Sequence, residues 1–380
     1  MQQLKYCYYG ACAPGLEGCA AEVLKERFPD LSIPLSLSGA LVFETDCSYD
    51  RLNLFCFNNI FRLIGRTVPY GDGGDPREAL ERFVRDTLRR RAGEGLVSAS
   101  TAGRGPAEAG FRVIFSLENT PAAVSGPLRD RAEGFIASCS GLRVNRSKPG
   151  VEFWFLLRRE GAFFMRRLSR HRPWDKLLHP GELPPPLAWV LCRLSEPRPG
   201  ERIADPFCGY GSIPAARLRH FPPAEFFASD IDRRSLALTK AKFSGKAAHH
   251  CHINRLDVAE LPRLIPPASL DGVITDPPWG CYRAAEALPE GREGSDGYEG
   301  PGPGPAPAPA GKNALSTGEL YGRSFGIFAE LLKPGARVVM LCGRGDEART
   351  AAERSGFTLV RHIPILLSGK KAAIYVLRLE

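Results

Sequence analysis

Four aspartates in the second half of the chain each follow a short run that reads as a strand. Asp205 ends ERIAD, Asp230 ends FFASD, Asp257 follows HINRL and Asp276 follows GVIT. In an open α/β sheet, ligands bind in the crevice beyond the carboxyl ends of the strands. An acid at the end of the second strand can accept from ribose hydroxyls. One after the third can accept from an adenine amino group. Any single one of these acids has a bland reading as the cap of a helix or turn. Four in register are harder to dismiss that way. Between the first two lies DPFCGYGSIP, residues 205–214. Gly209 and Gly211 let the backbone turn tightly and approach a ligand, and a helix opening near Ile213 directs its N-terminus at the site. Pro214 stands where the GxGxxG fingerprint has its third glycine, which argues against a bound pyrophosphate. After the fourth run comes DPPWG. Pro277 and Pro278 can neither donate to a ladder nor continue into a helix, so they stiffen the exit from the strand. Asp276 and Trp279 are then held on either side as an acid and an aromatic plate for a planar ligand.

Other reactive residues are less organised. His249, His250, Cys251 and His252 form a run, but neighbours on a strand alternate faces and no second group follows at zinc spacing. No metal is expected. Cys208 reads as a packing residue rather than a nucleophile, while His171 and His179 sit in a basic stretch where they could meet phosphate or solvent. The eleven cysteines are scattered without a CxxC pair, as for free thiols in a reducing cytosol. The net charge of +9 permits a polyanionic partner such as RNA. Arginines dominate it, as in Arg85, Arg89, Arg90 and Arg91, then Arg158, Arg159, Arg166, Arg167, Arg170 and Arg172. The competing reading of each cluster is a solvated face. No run of about 18 apolar residues marks a membrane span, and MQQLKYCYYG lacks a secretory pattern.

The elements that must position these groups follow from periodicity. Residues 4–9, 31–36, 40–45 and 60–66 read as strands, with helices over 16–28 and 48–58, giving the β-α-β-β-α-β order of a ferredoxin-like unit. YGDGGDP (70–76) is a break. A helix starting at Pro76, a strand at 111–117, a helix over 121–138 and a hairpin of 151–157 with 162–168 make a second small α+β unit. SRHRPWDKLLHPGELPPP (169–186) is a basic, proline-rich linker. From residue 187, strands and helices alternate as in a parallel sheet covered by helices. FTLVRHIPILL and KKAAIYVLRL close the chain as two long strands. The Pro/Gly/Ala segment 289–311 reads as a flexible loop behind DPPW, and an inert insertion is its simplest reading.

Residues 204–279 resemble the class I S-adenosylmethionine-dependent methyltransferases. DPFCGYG resembles their first motif, SDID their ribose acid, LDV their adenine contact and DPPW their (Asp/Asn)-Pro-Pro-aromatic motif, a mark of enzymes that methylate exocyclic or amide nitrogens. DPFCGYGSIP is similar to the PFCGSGTI version in enzymes with an N-terminal THUMP domain, which methylate RNA guanosines at N2. Tyr210 and Ser212 depart from it, and Ser212 keeps a hydroxyl. RLSRHRPWDKLLHPGELPPPLA (167–188) resembles the linker into that family's catalytic domain.

The resemblance implies a Rossmann-like α/β methyltransferase domain over 187–380, after a ferredoxin-like domain (1–66), a THUMP RNA-binding domain (67–168) and the linker. It implies S-adenosylmethionine held by Asp205, Phe207, Cys208, Gly209, Gly211, Ser212, Asp230, Ile231 and Asp257. The acceptor site is then Asp276, Pro277, Pro278 and Trp279: the carboxylate and the Pro277 carbonyl accept the two N–H groups of the amine, and Trp279 stacks on the base. The expected partner is RNA, tRNA before rRNA, in the cytoplasm. DPPW alone would also allow N6-adenine or glutamine-amide methylation, and a catalytically dead RNA-binding protein is the third reading. Gly209, Gly211, Asp230 and Asp276, all intact, argue against that last one.

Overall fold

The computed structural model describes residues 5–67, 74–90, 110–169, 178–222, 224–243, 249–280, 282–283, 314–367 and 369–380. The chain divides into two compact units, 1–12 with 17–172, and 13–16 with 173–380. The expected loop at 289–311, linker residues 170–177 with Arg170, His171 and Arg172, and Arg91 lie outside the described residues.

In the first unit the strands are β1 (Tyr6–Ala11), β2 (Ser32–Leu37), β3 (Ala40–Thr45), β4 (Asn59–Thr67), β5 (Phe111–Leu117), β6 (Thr120–Pro121), β7 (Val151–Arg158) and β8 (Gly161–Arg167). They form one eight-stranded sheet in the order β2-β3-β1-β4-β8-β7-β5-β6. The sequence boundary drawn at residue 66 is therefore bridged by a ladder, with Phe61 opposite Arg167 and Thr67 opposite Ala162. The helices are α1 (Glu17–Arg27), α2 (Tyr49–Leu52), α3 (Pro76–Arg90) and α4 (Gly126–Ser140). On α3, Leu80, Phe83, Val84 and Leu88 are buried against Phe111, Phe115, Phe153 and Phe155 of the sheet.

Two helix expectations are corrected. The helix expected over 48–58 ends after Leu52, because Asn53 takes a left-handed φ of 45°. The apolar spacing beyond it belongs to a tucked loop, whose Phe57 stacks on Phe43 with centroids 5.8 Å apart. The helix expected over 121–138 starts at Gly126 instead. Glu118 and Asn119, both at positive φ, make a tight hairpin turn that pairs Thr120–Pro121 with Ser116 and Leu117.

The arginines expected to meet phosphate are sorted by the fold. Arg158 is buried, its guanidinium donating to the Tyr9 hydroxyl (3.2 Å) and the Ser38 carbonyl (2.8 Å). Arg167 and Arg112 share buried Glu152, whose carboxyl these two guanidiniums hold below its usual range against its burial. For Arg158 and Arg167 the phosphate expectation is thus replaced by internal acceptors. Arg89 and Arg90, at the end of α3, are exposed.

In the second unit the strands are β9 (Glu201–Asp205), β10 (Ala224–Asp230), β11 (Cys251–Arg255), β12 (Leu270–Thr275), the short pair β13 (Tyr282–Arg283) and β14 (Ala314–Leu315), β15 (Leu332–Cys342), β16 (Phe357–Leu367) and β17 (Lys370–Leu379). Seven of them form a sheet in the order β11-β10-β9-β12-β15-β17-β16. The first five are parallel and β17 runs antiparallel to both its neighbours. The central strands β12 and β15 are largely apolar and buried because helices cover the sheet, while the edge strand β11 carries polar residues. Those helices are α5 (Pro185–Leu194), α6 (Ser212–His220), α7 (Arg233–Lys242), α8 (Thr317–Leu331) and α9 (Gly345–Arg354). Tyr321, Phe325, Phe328 and Leu331 of α8 bury completely or nearly so against Val338 and Met340 of β15 and their neighbours. The strand order reverses between β9 and β12, so the crevice of this sheet opens where Asp205 and Asp276 emerge. No helix among the described residues is long and apolar enough to cross a membrane.

Candidate active site

β9 delivers Asp205 to the interior rather than to the surface: the residue is fully buried. Its Oδ1 accepts from the Thr275 hydroxyl at the end of β12 (2.8 Å) and from the Phe207 amide (3.2 Å). Its Oδ2 is buried without a hydrogen-bond partner. Burial, with smaller contributions from the charges of Asp230 and Asp276, pushes its carboxyl up to about 8.

The loop from Asp205 to α6 turns through Gly209 at φ 48° and Gly211 at φ 77°. Here glycine is required twice over. A side chain at Gly211 would be strained by the backbone, and its Cβ would lie 2.6 Å from Thr239 Cγ2. Thr239 of α7 also donates to the Gly209 carbonyl (2.7 Å). Asp230 Oδ2 accepts from the Gly209 amide (2.8 Å) and its Oδ1 from the Asp232 amide (2.9 Å), so this acid braces the loop from β10. Burial raises its carboxyl despite these bonds. Asp232 caps α7 by accepting from the amides of Arg234 and Ser235.

Asp257 caps the 3-10 turn Val258–Arg263, accepting from the Ala259 amide at 2.9 Å within a reciprocal capping box with Glu260. Cys208 is buried, and burial raises its thiol well above the usual range, as for a packing residue. The run at 249–252 is split, with His249 and His250 in a 3-10 turn and Cys251 and His252 in β11.

At the end of β12, Asp276 is partly exposed and Pro277 is buried. Burial pushes the Asp276 carboxyl up to about 7, opposed by a hydrogen bond from the Trp279 indole. That bond runs from Nε1 to Oδ1 at 3.0 Å. The Tyr321 hydroxyl donates to the Pro278 carbonyl (3.2 Å), and the Thr317 hydroxyl to the Gly280 carbonyl (3.0 Å), so α8 ties down the whole turn.

One cleft is lined by Asp205, Phe207, Cys208, Gly209, Tyr210, Ser212, Ile213 and Asp276, with Gly181, Glu182 and Leu183 on its rim. Of the thirteen residues expected from sequence it gathers six, Asp205, Phe207, Cys208, Gly209, Ser212 and Asp276; Gly211, Ile231, Pro277, Pro278 and Trp279 are not among its lining residues. Asp230 stands behind it through Gly209, and Asp257 serves as a cap. The rim is held by Lys242, which bridges the Glu182 carboxylate and the Tyr210 carbonyl (2.7 Å). His179 stacks on Tyr210 with centroids 4.5 Å apart. Sequence reasoning missed Thr275, Thr239, Thr317, Tyr321, Glu182 and Lys242. Of these only Thr275 carried a local signal, as a hydroxyl ending an otherwise apolar strand. A larger open cavity of about 710 Å³ in the first unit, lined by Arg27, Phe28, Asp30, Asp46, Cys47 and Arg51, contains none of the expected site residues.

Comparison with known proteins bears on this geometry. Residues 172–287 match the family described as an RMKL-like methyltransferase domain. The chain is 31% identical over 174 residues to a tRNA (guanine(6)-N2)-methyltransferase of Thermus thermophilus, covering 45% of this chain and 51% of the relative. It is 29% identical over 150 residues to a tRNA (guanine(10)-N2)-dimethyltransferase of Methanothermobacter thermautotrophicus, covering 37% and 43%. The chain thus spans about half the length, or less, of these curated relatives. Its fold is similar to the crystal structure of TrmN from Thermus thermophilus, with a TM-score of 0.69 and 23% identity over 99% of this chain and 100% of the other.

Proposed function

We propose that this protein is an S-adenosylmethionine-dependent methyltransferase acting on the exocyclic N2 of guanosine in tRNA. The observation that carries the reading is the shared cleft: the Gly209–Gly211 turn and the Asp276 carboxyl of the DPPW turn line one opening. The two curated relatives are guanine-N2 methyltransferases of tRNA by name, which supports the substrate class.

The residues present fit the cofactor. Asp205 Oδ2 is buried and without a partner, a polar atom that a ligand's hydrogen-bonding group would satisfy. Gly209 brings backbone to the cleft, where a Cβ would meet open space, and Gly211 lets the turn close against Thr239. Asp230 and Asp257 would take the ribose hydroxyls and the adenine amino group, and Phe207 and Ile231, each partly exposed, would supply apolar surface. Cys208 and Ser212 complete the wall. When bound, the cofactor supplies an activated methyl group on a sulfonium, so the chain's task is positioning and electrostatics.

Guanine N2 is a poor nucleophile because its lone pair is delocalised into the ring. Asp276 accepts one N–H and the Pro277 carbonyl the other, which pulls the nitrogen toward a pyramidal geometry and aims the lone pair. As the N–C bond forms, the proton leaves to the Asp276 carboxylate. Because burial pushes that carboxyl up to about 7, it can pass the proton to water near neutrality. A base within a duplex has to be exposed or flipped out to reach the site.

Residues 1–66 and 67–168 are read as ferredoxin-like and THUMP domains that hold the RNA by shape and backbone charge, joined by 169–186 to the methyltransferase domain at 187–380. The deciding experiment incubates the full chain with S-adenosylmethionine and unmodified tRNA or rRNA, followed by nucleoside mass spectrometry. N2-methylguanosine in tRNA is expected. Methylation only at adenine N6, only in rRNA, or on no nucleoside overturns the reading.

A further inference from the structure

We propose that Trp279 is a positioning residue whose indole N–H fixes the carboxylate of Asp276 toward the incoming amine, and that Gly343 is the seat this arrangement requires. The inference rests on the reading that Asp276 receives the amine. A tryptophan after Asp-Pro-Pro invites a simpler role as a stacking plate, for which any aromatic ring serves.

Three observations point elsewhere. First, the indole N–H is spent inside the turn, on Asp276 Oδ1 at 3.0 Å. Phenylalanine has no donor there. Second, one side of the indole is occupied. A Cβ on Gly343, just beyond β15, would lie 2.9 Å from Trp279 Cε3 and 3.1 Å from Cδ2. Gly343 is not at a positive φ, so glycine is needed for space rather than for backbone conformation. Third, the turn carrying the indole is tied on both sides. Tyr321 holds the Pro278 carbonyl, Thr317 holds the Gly280 carbonyl, and the two prolines fix the backbone between acid and ring. With Oδ1 engaged, rotation of the carboxylate is blocked and Oδ2 is the oxygen left for the substrate N–H. At most one indole face remains for a base.

The consequences separate the two roles. The groups that face Asp276 electrostatically are Asp205, Tyr321 and Cys342. Burial holds Tyr321 and Cys342 protonated, with Cys342 raised to about 12, and Asp205, raised to about 8, is the one of the three that ionises close to Asp276. Removing the indole N–H removes the one bond that favours ionised Asp276, so the rise of rate with pH shifts to higher pH in Trp279→Phe.

The test uses the full chain, with Trp279→Phe and Gly343→Ala, measuring tRNA methylation under steady-state and single-turnover conditions. Both variants should lose roughly tenfold or more in kcat, since misplacement by about 1 Å can cost about 100-fold. The KM for tRNA should change by less than about threefold, because uniform binding is untouched. A Trp279→Phe enzyme with unchanged kcat and a raised KM would identify the ring as a base platform and overturn the proposal. A second readout needs no activity. The Trp279 indole ¹⁵N–¹H resonance should titrate with a midpoint near the carboxyl's value of about 7, and should be flat in Asp276→Asn. A resonance that is flat in the wild-type chain overturns the hydrogen bond. A titrating resonance in a chain that methylates no RNA supports the positioning and places the failure in the proposed function.

Discussion

Burial raises the carboxyls of Asp205 and Asp276 to about 8 and about 7, and the two shifts have different consequences. In the proposed function, Asp276 has to be ionised to accept the substrate N–H and then its proton. Methylation should therefore rise with pH through about 7 and level off above it, a limb to be read in a kcat–pH profile. Asp276→Ala should retain cofactor affinity by calorimetry and lose most turnover, and unchanged turnover would remove the role assigned to it. Asp205 bears on stability instead. Its folded carboxyl is raised, so the folded chain keeps a proton that the unfolded chain releases near pH 4. Its contribution is complete below about pH 4 and is lost as pH rises toward about 8. Asp205→Asn keeps an acceptor for Thr275 and cannot ionise. The melting temperature of the variant minus that of the wild type should grow between pH 4 and 8, and a constant difference would show that Asp205 does not titrate there.

Elements supply what these residues cannot supply alone. The turn from Asp205 through Gly211 is braced from three directions: Thr275 at the end of β12, Asp230 at the end of β10 and Thr239 on α7. The braces come from two βα units, β12 on one side and β10 with its following helix α7 on the other, so the turn keeps its shape before any ligand arrives. Gly211→Ala tests this scaffold. A left-handed φ costs a non-glycine residue about 1–3 kcal/mol, and the added Cβ also strikes Thr239. Cofactor affinity should fall by tenfold or more in a calorimetric titration, about 1.4 kcal/mol. Unchanged affinity would show that the turn can relax away from α7. The DPPW turn is braced likewise by α8, which begins in a capping box of Ser316 and Glu319 and presents Thr317 and Tyr321 one turn apart.

At the scale of the whole molecule, charge needs geometry before it means anything. The net charge of +9 permits RNA, but the sheet takes Arg158 and Arg167 inward, and Arg85 pairs with Glu81 on its own helix. Arg89 and Arg90 stay exposed at the end of α3. Replacing both with alanine should weaken tRNA binding without changing cofactor affinity. It should also flatten the slope of log K against log salt by about 0.9 for each phosphate that is no longer neutralised, read by filter binding at several salt concentrations. An unchanged slope would exclude this helix end from the RNA interface. The sequence by itself determined the alternation of strands and helices in the second half, the two glycines of the turn, the acids at strand ends and the stiff exit at DPPW. Those are local signals, written in apolar period, turn chemistry and proline, and neighbours along the chain decide them. Tertiary structure decided the rest. It joined two apparent units through β4 and β8 and ended a helix at Asn53 so that Phe57 could reach Phe43. It bonded Thr275 to Asp205, seventy positions away, and seated Trp279 on Gly343 with its N–H on Asp276. An arginine or a tryptophan serves two roles equally well by type. Which one it plays depends on the atoms that folding brings against it: for Arg158 these are Tyr9 and Ser38, more than a hundred positions away, and for Trp279 a local acceptor, Asp276, together with a distant seat, Gly343.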